Sequence, residues 1–156
     1  MELILVRHGL PVRRENVAGP ADPELSDDGH AQARALADYM HIEHLDAIYT
    51  SPMKRAFQTA EPLAQMKNMN PIVVDGVAEF DQMANEYIPV EELKRANDPR
   101  WQEMAKGGWQ GEGDQQEFRE RVITSLEAII NSHRGGRVVV TCHGGVINEY
   151  VSHILN

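Results

Sequence analysis

Two uninterrupted aliphatic runs, "ELILV" at 2–6 and "RVVV" at 137–140, read as buried strands, and both stop in the same unusual way. The first runs into Arg7-His8-Gly9 and the second into Cys142-His143-Gly144-Gly145. A chain that ends a buried strand on an imidazole and a residue without a side chain is presenting a group at a rigid edge rather than closing a core.

Between these strands lie alternating helical and extended patterns. "LSDDGHAQARALADYMHIEH" places Ala31, Ala35, Leu36 and Tyr39, with Met40 beside them, at helical spacing behind a Ser26 or Asp27 cap. "DAIYTS" (46–51) is a short strand, and Pro52 suits a first helical position after a Ser51 cap. "PIVVD" (71–75) is a third, β-branched strand, and 76–113 is irregular. In 114–133, Phe118, Val122, Leu126, Ile129 and Ile130 fall on one helical face, and Gly135-Gly136 ends the pattern. "VINEYVSHIL" is a last helix. The order β-α-β-α-β-(irregular)-α-β-α predicts an α/β fold, a three-layer α/β/α sandwich around a mostly parallel sheet with right-handed crossovers. A length of 156 residues, without repeats or linkers, suits one domain spanning 1–156.

Composition narrows the partners. A formal net charge of −9 speaks against a nucleic-acid or anionic-membrane surface, though not against a locally positive pocket for a small anion. The single cysteine, Cys142, excludes an internal disulfide. The apolar run at the N-terminus is too short for a signal peptide, and no segment approaches the ~20 apolar residues of a membrane span. The expectation is a cytoplasmic protein with no nucleic-acid or membrane partner; oligomeric state is not readable.

Ligands of open α/β sheets bind beyond the carboxyl ends of the strands. Parallel strands bring three such ends together: Arg7-His8-Gly9, Tyr49-Thr50-Ser51 with Arg55 one turn further, and His143-Gly144-Gly145. Two histidines and two arginines at one edge suit a phosphoryl group. Guanidiniums grip phosphate oxygens bidentately. A neutral imidazole can attack phosphorus, and a second can donate to the growing oxygen charge. Glycines clear space where backbone approaches the ligand, and N–H groups at the helix start after Gly144 supply further donors.

These blocks, with "ELSDDGHAQARALADYM", "YTSPMKRAFQTAEPLA" and "VVVTCHGGVINEYV" in that order, resemble the histidine phosphatase superfamily with its phosphoglycerate mutase-like fold. The resemblance implies that His8 is a nucleophile that becomes phosphohistidine, with Arg7, Arg55 and His143 completing the phosphate pocket. It implies that Glu79, in "VAEFD", is the proton donor, with Asp81 as the alternative. It implies a small-molecule phosphate ester as substrate and no cofactor or metal. The chain departs from the family pattern at Leu10, where many members carry Glu. Asn16 comes later than the usual phosphate-contacting Asn, and Arg14 lies nearer that spacing. The chain also stops at "SHILN", where members usually continue into another strand and helix.

The implied activity is a metal-independent phosphomonoesterase. A mutase is the first alternative; the glycolytic mutases of the family are longer and carry an extra middle segment. A catalytically weak phosphate-binding regulatory module is the second. Other candidates receive plainer readings. Cys142 is a buried small hydrophobe facing away from His143. His41 and His44 form a solvated pair without a third metal ligand, and His30, His133 and His153 have no functional reading. "GGWQGEG" (107–113) lacks the lysine and strand-loop-helix context of a nucleotide P-loop and reads as a lid, with Trp101 and Trp109 packing at or lining the pocket mouth.

Overall fold

A computed structural model describes residues 1–106 and 114–155. The order is β1 (Glu2–Arg7), α1 (Asp27–Tyr39), β2 (Ala47–Thr50), α2 (Lys54–Lys67), β3 (Ile72–Val73), a 3-10 turn (Asp75–Val77), α3 (Val90–Arg95), α4 (Pro99–Ala105), α5 (Gln115–Ser132), β4 (Arg137–Cys142) and α6 (Gly144–Leu155). Among the described residues the strands form one all-parallel sheet in the order β1-β4-β2-β3. The α/β class and the parallel sheet expected from the alternating pattern are therefore found. Residues 107–113, read above as a lid, lie outside the described residues.

Strand β4 is central and covered on both faces, which is why its sequence does not alternate. Val138, Val140 and Cys142 pack with Phe118, Val122, Leu126 and Ile129 of α5 and with Val146 and Tyr150 of α6. Val139 turns the other way and packs with Ile48 of β2, Ala37 of α1, and Ala60, Leu63 and Ala64 of α2. Two apolar clusters on opposite faces of one sheet make the three layers. The face expected for α5 is the buried one.

The face expected for α1 is only partly so: Leu36 is half-buried and, with the buried Met40, packs in the second cluster. Ala31, Ala35 and Tyr39 are exposed, and the buried residues are Gly29, Ala33 and Ala37. Helix α1 packs on α2, with Ala37 of one in the same buried cluster as Ala60 and Ala64 of the other. Small residues on both sides let the two helices approach closely, so burial here follows side-chain size rather than hydrophobicity. The Ser26 cap is present, its Oγ accepting from the Gly29 N–H at 3.1 Å.

Helix α2 begins at Lys54, two residues beyond the expected Pro52, with Met53 at the cap position. Ser51 accepts from the Met53 N–H at 3.3 Å, but its hydroxyl also faces the site described below. Strand β3 is two residues long rather than five, because only Tyr49 and Thr50 of β2 are there to pair with it. The stretch expected to be irregular holds α3 and α4. Trp101 of α4 lies beside Lys94 and does not line the cavity at the strand ends. No helix of the described residues is long and apolar enough to cross a membrane.

Candidate active site

Sheet register builds the site. Arg7 pairs with Cys142 and Thr50 with Thr141, so one further step along each strand delivers His8, His143 and Ser51 side by side. Backbone bonds carry the alignment past the strand ends: His8 N–H donates to Cys142 O, and Ser51 N–H to Thr141 O, each at 3.0 Å.

The rings of His8 and His143 stand with centroids 5.2 Å apart. His8 is buried, and its Nδ1 lies 2.8 Å from the Gly9 carbonyl. A carbonyl only accepts, so the ring proton sits on Nδ1 and Nε2 keeps its lone pair. Arg55 donates from Nε to that Nε2 at 3.3 Å. Burial, then the Arg55 and Arg7 charges, lower the His8 pKa to about 3, so the imidazole is neutral near pH 7. Burial foremost, then Arg55, also holds His143 well below the ordinary range.

Ser51 was missed as a site residue because its position also reads as a helix cap. Its Oγ lies 2.8 Å from His143 Nε2. Having accepted from Met53, the hydroxyl can donate its own proton there, which places the imidazole proton on Nδ1. That Nδ1 is buried and without a partner.

Arg55, on the first turn of α2, is fully buried. Its Nη1 lies 4.0 Å from Asp22 Oδ1 and its Nη2 3.6 Å from Asp81 Oδ1, and neither Nη atom has a hydrogen-bond partner. The Asp81 Oδ1 is likewise buried and without one. Arg7 is half-exposed and pairs with Glu91 of α3 at 3.1 Å.

Glu79 follows the 3-10 turn. Its Oε2 accepts from the Gly145 N–H and its Oε1 from the Phe80 N–H, each at 3.0 Å. Burial raises its pKa above the ordinary glutamate value against the pull of those two bonds, and Asp81 adds to the rise. The Asp81 carboxyl is also raised by burial, with Arg55 opposing. His8, Arg7, Arg55, Glu79, Asp81 and Gly144 line one cavity of about 750 Å³ that opens over the strand ends. His143 lies immediately behind that wall, fully buried.

Asn16 is not brought to this place. It is exposed, sits at a left-handed φ of 51°, and does not line the cavity. The loop that carries it runs against residues 84–87, with Arg14 and Tyr87 exchanging backbone bonds and Val17 N–H donating to Asn85 O, so Asn16 falls at a turn. Two glycine readings also change. A Cβ on Gly9 would lie 2.7 Å from the Gly29 carbonyl, so Gly9 makes room for the start of α1 rather than for a ligand. The Gly145 N–H is taken by Glu79, which removes it from the donors expected at the start of α6. Cys142 is buried with its thiol pushed up to about 12, and His41 and His44 contact Asp38 and Asp46 outside the cavity.

The family model described as the histidine phosphatase superfamily (branch 1) matches residues 3–156. Phosphoserine phosphatase 1 of Hydrogenobacter thermophilus is 38% identical over 151 residues, covering 92% of this chain and 71% of that protein. Phosphoglycerate mutase-like protein 4 of Arabidopsis thaliana is 30% identical over 160 residues, covering 95% of this chain and 68% of that protein. Among solved structures, phosphoserine phosphatase from Entamoeba histolytica in complex with 3-phosphoglyceric acid is similar with a TM-score of 0.72 at 25% identity, covering 98% of this chain and 79% of that one.

Proposed function

This chain belongs to the histidine phosphatase superfamily and is a phosphatase, and from that premise we propose that it hydrolyses a small phosphorylated metabolite through a phosphohistidine on His8. The observation that carries the proposal is a set of buried nitrogens without hydrogen-bond partners on the two side chains that contact His8. Nη1 and Nη2 of Arg55 and Nδ1 of His143 have no partner, and they belong to the two side chains packed against His8. Buried donors without acceptors are destabilising in a resting protein. An anionic, many-oxygened ligand would satisfy all three.

The geometry supports the following roles. His8 Nε2 attacks phosphorus, and the bond from phosphorus to the leaving oxygen breaks. Arg55, Arg7 and the His143 Nδ1–H hold the phosphoryl oxygens and offset their charge, which is the work a metal does in other phosphatases. Glu79, whose carboxyl burial holds above the ordinary glutamate range, transfers its proton to the leaving oxygen so that an alcohol departs. In the second half, the Glu79 carboxylate takes a proton from water as that water's oxygen bonds to phosphorus and the P–N bond breaks. Inorganic phosphate leaves, with Nε2 and the Glu79 proton restored. Gly144 borders the phosphate space, where its missing side chain meets nothing within 4 Å. The relative named a phosphoserine phosphatase supports a compact metabolite as substrate.

The test is phosphate release from an aryl phosphate in EDTA, with acid-labile labelling of the protein by a radioactive phosphoryl donor. His8→Ala is expected to lose both turnover and label, with turnover falling by several orders of magnitude. Full activity in that variant, or label retained by it, overturns the phosphohistidine.

A further inference from the structure

Arg55 poses a problem that phosphate binding does not by itself solve. Its side chain is only 1% exposed, yet its nearest carboxylates stand at 3.6 and 4.0 Å and neither terminal nitrogen is hydrogen-bonded. A desolvated cation needs compensation. A carboxylate in direct contact would provide it, but would also occupy the donors that a phosphoryl group needs. The face of an aromatic ring compensates positive charge without accepting either N–H.

Tyr87 supplies such a face. The guanidinium carbon of Arg55 lies 4.5 Å from the Tyr87 ring centroid. The same ring meets His8 at 6.5 Å with an interplanar angle of 67°. The backbone that carries the ring is fixed: Arg14 N–H donates to Tyr87 O at 2.9 Å and Tyr87 N–H to Arg14 O at 2.6 Å. Val17 and Ala21 extend this ribbon through their N–H bonds to the carbonyls of Asn85 and Ala84. Burial pushes the Tyr87 phenol up to about 12, so the ring is neutral at working pH.

We propose that Tyr87 is a positioning residue for phosphoryl binding. Its ring face holds the Arg55 guanidinium against His8 and leaves both terminal nitrogens free to donate to the phosphoryl oxygens. This rests on the reading of Arg55 as the phosphate grip and adds to it the element that keeps the grip open. It also gives a role to the ribbon that leaves Asn16 outside the cavity: the loop seats the backbone of Tyr87.

The experiment measures the inhibition constant of inorganic phosphate, and kcat/KM for an aryl phosphate, in Tyr87→Leu, Tyr87→Phe and a series carrying progressively fluorinated phenylalanine at position 87. Removing the ring in Tyr87→Leu is expected to weaken phosphate binding about thirtyfold, equal to about 2 kcal/mol at 1.36 kcal/mol per factor of ten. Tyr87→Phe is expected to recover binding to within about threefold of Tyr, because the attraction resides in the ring face. Fluorination, which drains that face while barely changing its shape, is expected to weaken binding stepwise. That gradient is a signature that a merely structural ring would not give, and it survives if Tyr87→Leu folds poorly. A flat fluorine series, or Tyr87→Phe as weak as Tyr87→Leu, overturns the proposal. Arg55→Ala separates the two layers. Wild-type phosphate binding in that variant removes the grip and Tyr87's role with it, whereas Arg55-dependent binding with a flat series removes Tyr87 alone.

Discussion

Arg55 donates from Nε to Nε2 of His8 at 3.3 Å, while the other nitrogen of the same imidazole is held by the Gly9 carbonyl at 2.8 Å. One contact fixes the tautomer and the other places a permanent cation where a proton would have to land. The nucleophile is thus kept unprotonated first by burial and then by the Arg55 and Arg7 charges, against the Gly9 bond, which favours the proton.

That arrangement sets a pH dependence of stability. The His8 pKa drops from 6.5 in the unfolded chain to about 3 in the folded one, and His143 shifts the same way. Between those values the unfolded chain binds protons that the folded chain does not, so stability rises with pH there and is complete above about 6.5. Acidification below pH 6.5 is therefore expected to lower the melting temperature by about 3–5 °C per pH unit for each histidine. Melts from pH 7 to pH 4 check this, and His8→Gln should flatten the slope. An unchanged slope in that variant would remove His8 from the account.

The proton donor is separable from its neighbour by leaving group. Glu79→Gln is expected to slow alkyl phosphates by about 10²–10⁴-fold and aryl phosphates with good leaving groups far less, since only the former need the proton. Asp81 stands 3.6 Å from Arg55 Nη2, so Asp81→Asn is expected to slow both classes alike, through the guanidinium. Steady-state kinetics on matched esters decide it. If Asp81→Asn shows the leaving-group dependence instead, the donor assignment moves to Asp81.

Much of this site is legible in the sequence because it is carried by strand ends. His8 and His143 each follow a strand whose identity is plain from its aliphatic run, and parallel register does the rest. Arg55 is readable for the same reason, one turn beyond β2. What sequence does not carry is any feature set by size or by a second function. Helix α1 offers alanines on several faces, so nothing in its periodicity separates the buried Ala33 and Ala37 from the exposed Ala31 and Ala35. Ser51 satisfies the pattern of a helix cap and so hides its bond to His143. Tyr87 lies in a stretch without periodicity, held by backbone bonds to Arg14 that no residue pattern encodes. Asn16 follows the family's usual Asn position by several residues, and the ribbon geometry leaves it at an exposed turn.

The position of Glu79 depends on Gly145. A Cβ built there would collide with the Glu79 carboxyl, whose Oε2 accepts the Gly145 N–H at 3.0 Å. Gly145→Ala is therefore expected to displace the donor without altering the nucleophile. Its kinetic profile should repeat that of Glu79→Gln: a large loss on alkyl esters and a small one on aryl esters. A uniform loss would mean that the added methyl acts on the phosphate pocket instead.

Gly29 tests whether the nucleophile's loop and the first helix are one packed unit. A Cβ at Gly29 would meet the Leu10 carbonyl, and a Cβ at Gly9 would meet the Gly29 carbonyl, so each glycine leaves room for the other's backbone. The nearest obstacle is main chain in both, so no side-chain movement relieves it. Gly29→Ala is accordingly expected to destabilise the protein by about 1–3 kcal/mol, the usual range for overpacking. Because the displaced backbone adjoins Gly9, whose carbonyl fixes the His8 tautomer, the same variant should lose activity beyond what its unfolded fraction explains. Chemical denaturation paired with kcat measured well below the melting temperature separates the two effects. Normal stability would show that the close approach of α1 to the His8 loop can relax, and wild-type kcat in the folded fraction would show that the tautomer is held independently of it.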